Sequence, residues 1–216
     1  MTQMKVKQLL AAIPNKPPQA ENALSLTFQA GQMWGILGPN GVGKTTLLHT
    51  LASLKTPASG TIELNRQAIH QWHRLKWAQH VGLMFQDHQD GFPATVLETV
   101  LLGRFPHLSP WERESEQDLM LAYAALARLD LTDFAQRPLS SLSGGERQRA
   151  ALATLLVQDP EVWLVDEPSN HMDLHYQVSV MGLLQEQAKQ GRAVVTSLPA
   201  DTNAAQCSGH GIRVCP

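Results

Sequence analysis

The stretch "MWGILGPNGVGKTTLLHTLASL", Met33 to Leu54, decides the fold. Met33 to Leu37 is a short apolar run with Gly31 before it and a glycine-rich turn after it, the pattern of a buried parallel strand. The turn, Gly38-Pro39-Asn40-Gly41-Val42-Gly43-Lys44-Thr45, fills every fixed position of G-x-x-x-x-G-K-[ST]. Glycines there let successive backbone N–H groups point inward at phosphate oxygens, and a helix opening at Lys44 adds the positive end of its dipole. The sequence therefore predicts nucleotide binding at Gly38, Pro39, Asn40, Gly41, Val42, Gly43, Lys44, Thr45 and Thr46. Lys44 is expected to reach the β- and γ-phosphates, and the Thr45 hydroxyl to ligate Mg²⁺.

Two further segments carry chemistry. "EVWLVDEP", Glu161 to Pro168, is an apolar strand ending in Asp166-Glu167. At the C-terminal end of a parallel strand, two carboxylates face the ligand crevice. One can hold a Mg²⁺ shell while its neighbour takes a proton from an attacking water. In "LSSLSGGERQRAALATLLVQDP", Ser143 precedes Gly144-Gly145, and an apolar stripe at Ala150, Ala151, Leu155 and Leu156 predicts a helix. A serine hydroxyl and two glycine N–H groups make a second anion-binding helix start. An ordinary N-cap is the other reading, and this segment alone favours it.

Leu142-Ser143-Gly144-Gly145-Glu146-Arg147-Gln148 is similar to the signature motif of ATP-binding-cassette (ABC) ATPases, and it stands between the P-loop and the Asp-Glu strand in that family's order. The likeness runs from about Ala23 to Asp201; Gln86 in "VGLMFQD" looks like the Q-loop glutamine, and "EPSNHMDLH" resembles the D-loop, with Asp173 at its aspartate. The resemblance implies an α/β fold, a P-loop NTPase core with a mainly parallel sheet, a small antiparallel β subdomain and a helical subdomain over about residues 87–156, all in one ATP-binding domain spanning 1–216. It implies ATP and Mg²⁺ as ligands. It also implies a head-to-tail dimer with a second cassette, a homodimer, in which ATP on one P-loop is capped by Ser143, Gly144 and Gly145 of the other. In that scheme Thr45 and Asp166 hold Mg²⁺, Gln86 joins the metal and water shell, Glu167 is the general base and Asp173 links the two sites.

A chain of 216 residues, 43% of them hydrophobic, sustains one α/β domain. A net charge of -2 gives no general attraction to nucleic acid, so none is expected as a partner. There is no run of 18 apolar residues, and Met1 to Lys7 is polar and alternating rather than a basic-then-apolar leader. The resemblance then implies a separate ATPase subunit of a multi-chain importer, peripheral at the cytoplasmic face of the cell membrane. Its partners would be integral membrane permease subunits and an extracytoplasmic substrate-binding protein. "ATVLETVLLGRFPHLSPW", Ala94 to Trp111, resembles importers of ferric siderophores, haem and cobalamin through Gly103, Arg104, Phe105, Pro106 and His107. Two other readings stand beside it: a degenerate or regulatory nucleotide-binding subunit with little ATPase activity, and a soluble non-transport ABC ATPase.

The remaining signals are weaker. His70, His73 and His80, and His171 with His175, have helix-face spacings, but no Cys or carboxylate cluster completes a metal set. Cys207 and Cys215 read as spare thiols, and "IPNKPPQ", Ile13 to Gln19, as an exposed turn.

The sequence departs from the family in three places. Residues 1–27 contain no Phe, Tyr, Trp or His to stack on adenine, and Phe28 alternates with Leu24 and Leu26 as a core strand residue would. Aromatic stacking on a base is worth roughly 1–3 kcal/mol, so weaker nucleotide binding and a relaxed preference for ATP over GTP are expected. In "AVVTSLPADTNAAQ", Pro199-Ala200-Asp201 stands where the family has a histidine that contacts the γ-phosphate. Loss of one such donor costs about 10²–10³-fold in rate. Finally, "CSGHGIRVCP" stops at Pro216 where the family continues, which reads as a truncation or frameshift; nucleotide sequence through codons 193 to 216 tests it.

Overall fold

The structure, a computed structural model, describes residues 2–13, 23–85, 93–109, 111–168, 173–198 and 210–213. The Met33 run forms β3 (Met33–Leu37), the third strand among the described residues. It lies in a five-stranded sheet with β6 (Val81–Met84), β7 (Val162–Val165), β8 (Ala193–Leu198) and β9 (His210–Arg213), in the order β6-β7-β8-β3-β9. Every pairing in it is parallel. Strands covered on both faces need continuous apolar runs, and all of "VWLV" and "AVVTSL" are buried.

A second sheet is antiparallel, with β1 (Gln3–Leu10), β2 (Leu24–Gln29), β4 (Ser59–Leu64) and β5 (Gln67–Ala68) in the order β2-β1-β4-β5. In β1, Met4 and Val6 face the core while Lys5 and Lys7 face outward. The register then shifts, Gln8 takes φ 49, and Leu9 rather than Gln8 turns inward. Gly60, at φ +88, faces this irregularity; a Cβ there would lie 2.2 Å from the Gln8 carbonyl oxygen.

Among the described residues there are six α-helices: α1 (Lys44–Leu51), α2 (Arg74–His80), α3 (Val96–Leu101), α4 (Glu116–Arg128), α5 (Gly144–Gln158) and α6 (Leu174–Lys189). Successive residues of the parallel strands feed opposite cores. Ile36, Leu164 and Val195 pack with α1 and the antiparallel sheet, through Leu48, Leu51, Phe28 and Ile62. Met33, Trp163, Val165 and Val194 pack against the helices on the other face, through Val100, Leu126, Leu152 and Leu184. Phe28 is fully buried and meets the Trp34 ring edge-on at 5.5 Å, so it is a core residue as its alternation implied. Among the described residues, no helix is long and apolar enough to cross a membrane.

Candidate functional site

The P-loop joins β3 to α1. Gly41 and Gly43 have φ of +76 and +112, in the left-handed region where a side chain is strained, so glycine is what permits this path. The loop folds back on the first turn of α1. Lys44 Nζ donates to the carbonyl of Gly38 at 2.8 Å and lies 3.5 Å from Glu167 Oε1. A cavity of about 370 Å³ opens here, lined by Ile13, Asn40, Gly41, Gly43, Lys44, Thr45, Thr46 and Glu167.

Asp166 and Glu167 follow the end of β7, and Glu167 lines this cavity. They are not a solvated pair: Asp166 is fully buried and Glu167 nearly so. The Lys44 ammonium is buried against the Glu167 carboxylate, so each offsets the other's desolvation. Asp166 Oδ1 accepts a hydrogen bond from Ser197 Oγ at 2.5 Å, while Oδ2 is buried with no hydrogen-bond partner among the described residues. An unmatched buried carboxylate oxygen beside a site that holds the Thr45 hydroxyl suits a hard cation with oxygen ligands. Mg²⁺ needs only one or two protein oxygens when phosphates and water supply the rest. Among the described residues there is no group of three or more His, Cys, Asp or Glu side chains that could hold a metal ion by themselves. One turn beyond Thr45, burial and the charge of Lys55 hold His49 below the usual imidazole range, against a smaller opposing pull from Asp166.

Among the described residues, Ser143, Gly144, Gly145 and Asp173 do not line this cavity. Ser143 is the N-cap of α5 in a complete capping box. Its hydroxyl accepts from the Glu146 N–H at 3.4 Å, and its own N–H donates to Glu146 Oε2 at 2.7 Å. Hydrogen bonding of the Glu146 carboxyl by the Ser143 hydroxyl first, and by the Ser143 N–H second, holds that carboxyl below the usual range. Gly144 and Gly145 form the same first turn. Asp173 caps α6, accepting from the Tyr176 N–H at 3.0 Å. The Arg149 guanidinium of α5 lies over the Tyr176 ring at 4.1 Å, so α5 and the start of α6 are tied together. Gln86 lies outside the described residues, as do His171, Pro199-Ala200-Asp201, Cys207, Cys215 and the Pro14 to Gln19 part of the proline-rich turn.

The Gly103 to His107 run lies in a short 3-10 helix, Leu102–His107, that packs on the C-terminal end of α5. Arg104 Nε donates to Asp118 Oδ1 at 2.7 Å and Nη1 to the Val157 carbonyl at 3.2 Å; His107 Nε2 bonds the Gln158 carbonyl at 2.8 Å. Leu102 and Phe105 remain 64% exposed on the outer side of the turn.

Sequence reasoning missed two residues that the fold brings here. Ile13 forms an apolar wall: its Cδ1 is 2.5 Å from where a Cβ on Gly43 would stand. Ser197 is a fully buried hydroxyl within an apolar strand. A buried hydroxyl requires partners, and that is the one signal the sequence offered for it.

A family model described as ABC transporter matches residues 22–170. The chain belongs to the ABC transporter family. It is 41% identical over 169 residues to a hemin import ATP-binding protein, HmuV, of Nocardia farcinica, covering 78% of this chain and 58% of that relative. It is 34% identical over 192 residues to the iron(3+)-hydroxamate import ATP-binding protein FhuC of Bacillus subtilis, covering 88% of this chain and 71% of that protein. Among solved structures, it is similar to a metal-chelate type ABC transporter in an inward-facing conformation, with a TM-score of 0.79 and 29% identity over 99% of this chain and 80% of the other. The chain thus spans under two thirds of the length of the hemin import relative.

Proposed function

We propose that this chain binds and hydrolyses ATP to drive a membrane importer for iron chelates, haem or cobalamin. One observation supports the reading: the P-loop lysine and the buried Glu167 carboxylate meet in a single cavity, with Lys44 Nζ 3.5 Å from Glu167 Oε1, and the buried Asp166 directly precedes Glu167 at the end of β7. In this reading the backbone N–H groups of Gly41 to Thr45 bind phosphate oxygens. Lys44 exchanges its Gly38 carbonyl contact for the β- and γ-phosphates. Thr45 and Asp166 would hold Mg²⁺, which supplies charge neutralisation on the phosphates. Glu167 takes the proton of the attacking water, and Gln86 helps to orient that water. A second copy of the cassette contributes Ser143, Gly144 and Gly145 to the far side of the triphosphate, with Asp173 at the junction. The exposed Leu102 and Phe105 face permease subunits at the cytoplasmic side of the membrane, and an extracytoplasmic binding protein delivers the solute. The printed names of the hemin and iron-hydroxamate relatives support the substrate class.

Steady-state ATPase with the membrane partner tests this reading. Glu167→Gln is expected to lower kcat by at least about 10²-fold, the usual scale of general-base catalysis, while nucleotide binding persists. Equal rates would favour a second reading, a regulatory subunit that binds ATP and scarcely hydrolyses it. Pro199-Ala200 at the position of the expected histidine is the observation behind that alternative.

A further inference from the structure

Ser197 lies on β8, with no solvent exposure, and its hydroxyl is used twice. It donates its proton to Asp166 Oδ1 at 2.5 Å and accepts the backbone N–H of Glu167 at 2.8 Å. The parallel pairing of β7 and β8 brings this about. Val165 is opposite Thr196, and the next step of that register sets Ser197 beside Asp166. One side chain therefore grips two consecutive acidic residues from the neighbouring strand.

Each grip has a consequence. With Oδ1 committed to Ser197, the Asp166 acceptor left over is Oδ2, buried and without a hydrogen-bond partner among the described residues. Glu167 has φ 46, a left-handed conformation that costs a non-glycine residue free energy unless its surroundings hold it. The Ser197 oxygen on its N–H is such a hold. It sits at the residue whose carboxylate reaches the P-loop lysine.

We infer that Ser197 is a positioning residue for the metal–nucleotide site: it fixes the Asp166 carboxylate so that Oδ2 is the oxygen offered to Mg²⁺, and pins the Glu167 backbone so that its carboxylate stands over the P-loop. It acts through these two residues and touches neither nucleotide nor metal. The inference rests on the reading that the cavity takes Mg²⁺ and ATP.

The test is binding of a fluorescent ATP analogue titrated with Mg²⁺, on the full chain of the wild type, Ser197→Ala, Ser197→Thr and Ser197→Cys. In the absence of Mg²⁺, Ser197→Ala binds the analogue as the wild type does. The Mg²⁺ concentration for half-maximal enhancement rises about 10–100-fold, the scale seen when a residue supporting a metal ligand is removed. Ser197→Thr, which keeps the hydroxyl, restores it. An unchanged Mg²⁺ response in Ser197→Ala, whatever its melting temperature, overturns the inference, because a purely structural hydroxyl would alter stability alone. If Ser197→Ala does not fold, Ser197→Cys decides, since its thiol keeps a similar shape but is a weak donor. A raised Mg²⁺ requirement in Ser197→Cys supports the inference, and a wild-type requirement ends it. If the wild type itself shows no Mg²⁺-dependent binding, the proposed function fails and this inference with it.

Discussion

Ile13 lines the P-loop cavity beside Gly43, and we propose that it, rather than an aromatic ring, meets the nucleotide base. A branched aliphatic side chain covers adenine and guanine alike and has no π-face to stack on either. Wild-type protein is therefore expected to bind ATP and GTP with similar affinity in a competition assay. Stacking contributes roughly 1–3 kcal/mol per base, so Ile13→Tyr should tighten ATP by about fivefold or more, and Ile13→Ala should weaken it. Unchanged affinity in both variants would remove Ile13 from the base contact. At this scale the sequence was legible where function demands fixed spacing. The P-loop could be read directly because its glycines and lysine are bound to a backbone shape over eight residues. Ile13 and Ser197 could not, because Gly43 and Asp166 reach them only through the sheet. The burial of Asp166 and Glu167 was also hidden, since a strand end reads as exposed until its neighbours are known.

At the scale of elements, the turn after α3 shows how a motif can be recognised from sequence while its structural work stays invisible. The Gly103 to His107 run was read as a family marker. Its Gly103 has a packing role: a Cβ there would stand 2.3 Å from the Thr154 carbonyl oxygen of α5. Arg104 and His107 clip the turn to the last carbonyls of that helix, and their partners are 14 to 53 residues away in sequence. The parallel strands were easier to read, because burial on both faces leaves an unbroken apolar run. Asp118 joins this turn to α4 and makes a pH-dependent contribution. Hydrogen bonds from the Ser115 hydroxyl and N–H, reinforced by Arg104, lower its carboxyl from 3.8 to about 2. A depressed folded value means stability is present above the ordinary carboxylate range and lost as pH falls through about 4 toward about 2. Asp118→Asn should lower the Tm by roughly 3–10 °C at pH 7, from the loss of a charged hydrogen bond in a chain of this size. The gap to wild type should narrow by pH 3. Thermal melts at the two pH values check this, and a gap that stays constant would show that the carboxylate charge is not the cause.

On the scale of the whole molecule, the P-loop cavity and the start of α5, the two half-sites proposed to share one triphosphate, are not brought together within the chain. The P-loop cavity contains Glu167 but none of Ser143, Gly144 and Gly145. The Ser143 hydroxyl is engaged by Glu146: it accepts from the Glu146 N–H at 3.4 Å and holds the Glu146 carboxyl below the usual range. Turning its proton from that carboxylate to a phosphate would leave the lone pair that caps α5 in place. The capping role and a contact to a phosphate on another subunit are therefore compatible, so the N-cap found in the structure does not exclude the proposed head-to-tail dimer. ATP between the two half-sites would bind them together, and hydrolysis would release them, because the contact depends on the γ-phosphate. Glu167→Gln should hold the assembly closed by preventing that release. Sedimentation velocity on Glu167→Gln is expected to show a monomer of 23.7 kDa without nucleotide and twice that mass with ATP and Mg²⁺. Adding Ser143→Arg places a long side chain where the partner's phosphate must approach, so the double variant should stay monomeric under the same conditions while still binding ATP. A Glu167→Gln protein that binds ATP yet remains a monomer would sink the head-to-tail arrangement and leave Ser143 as a helix cap alone.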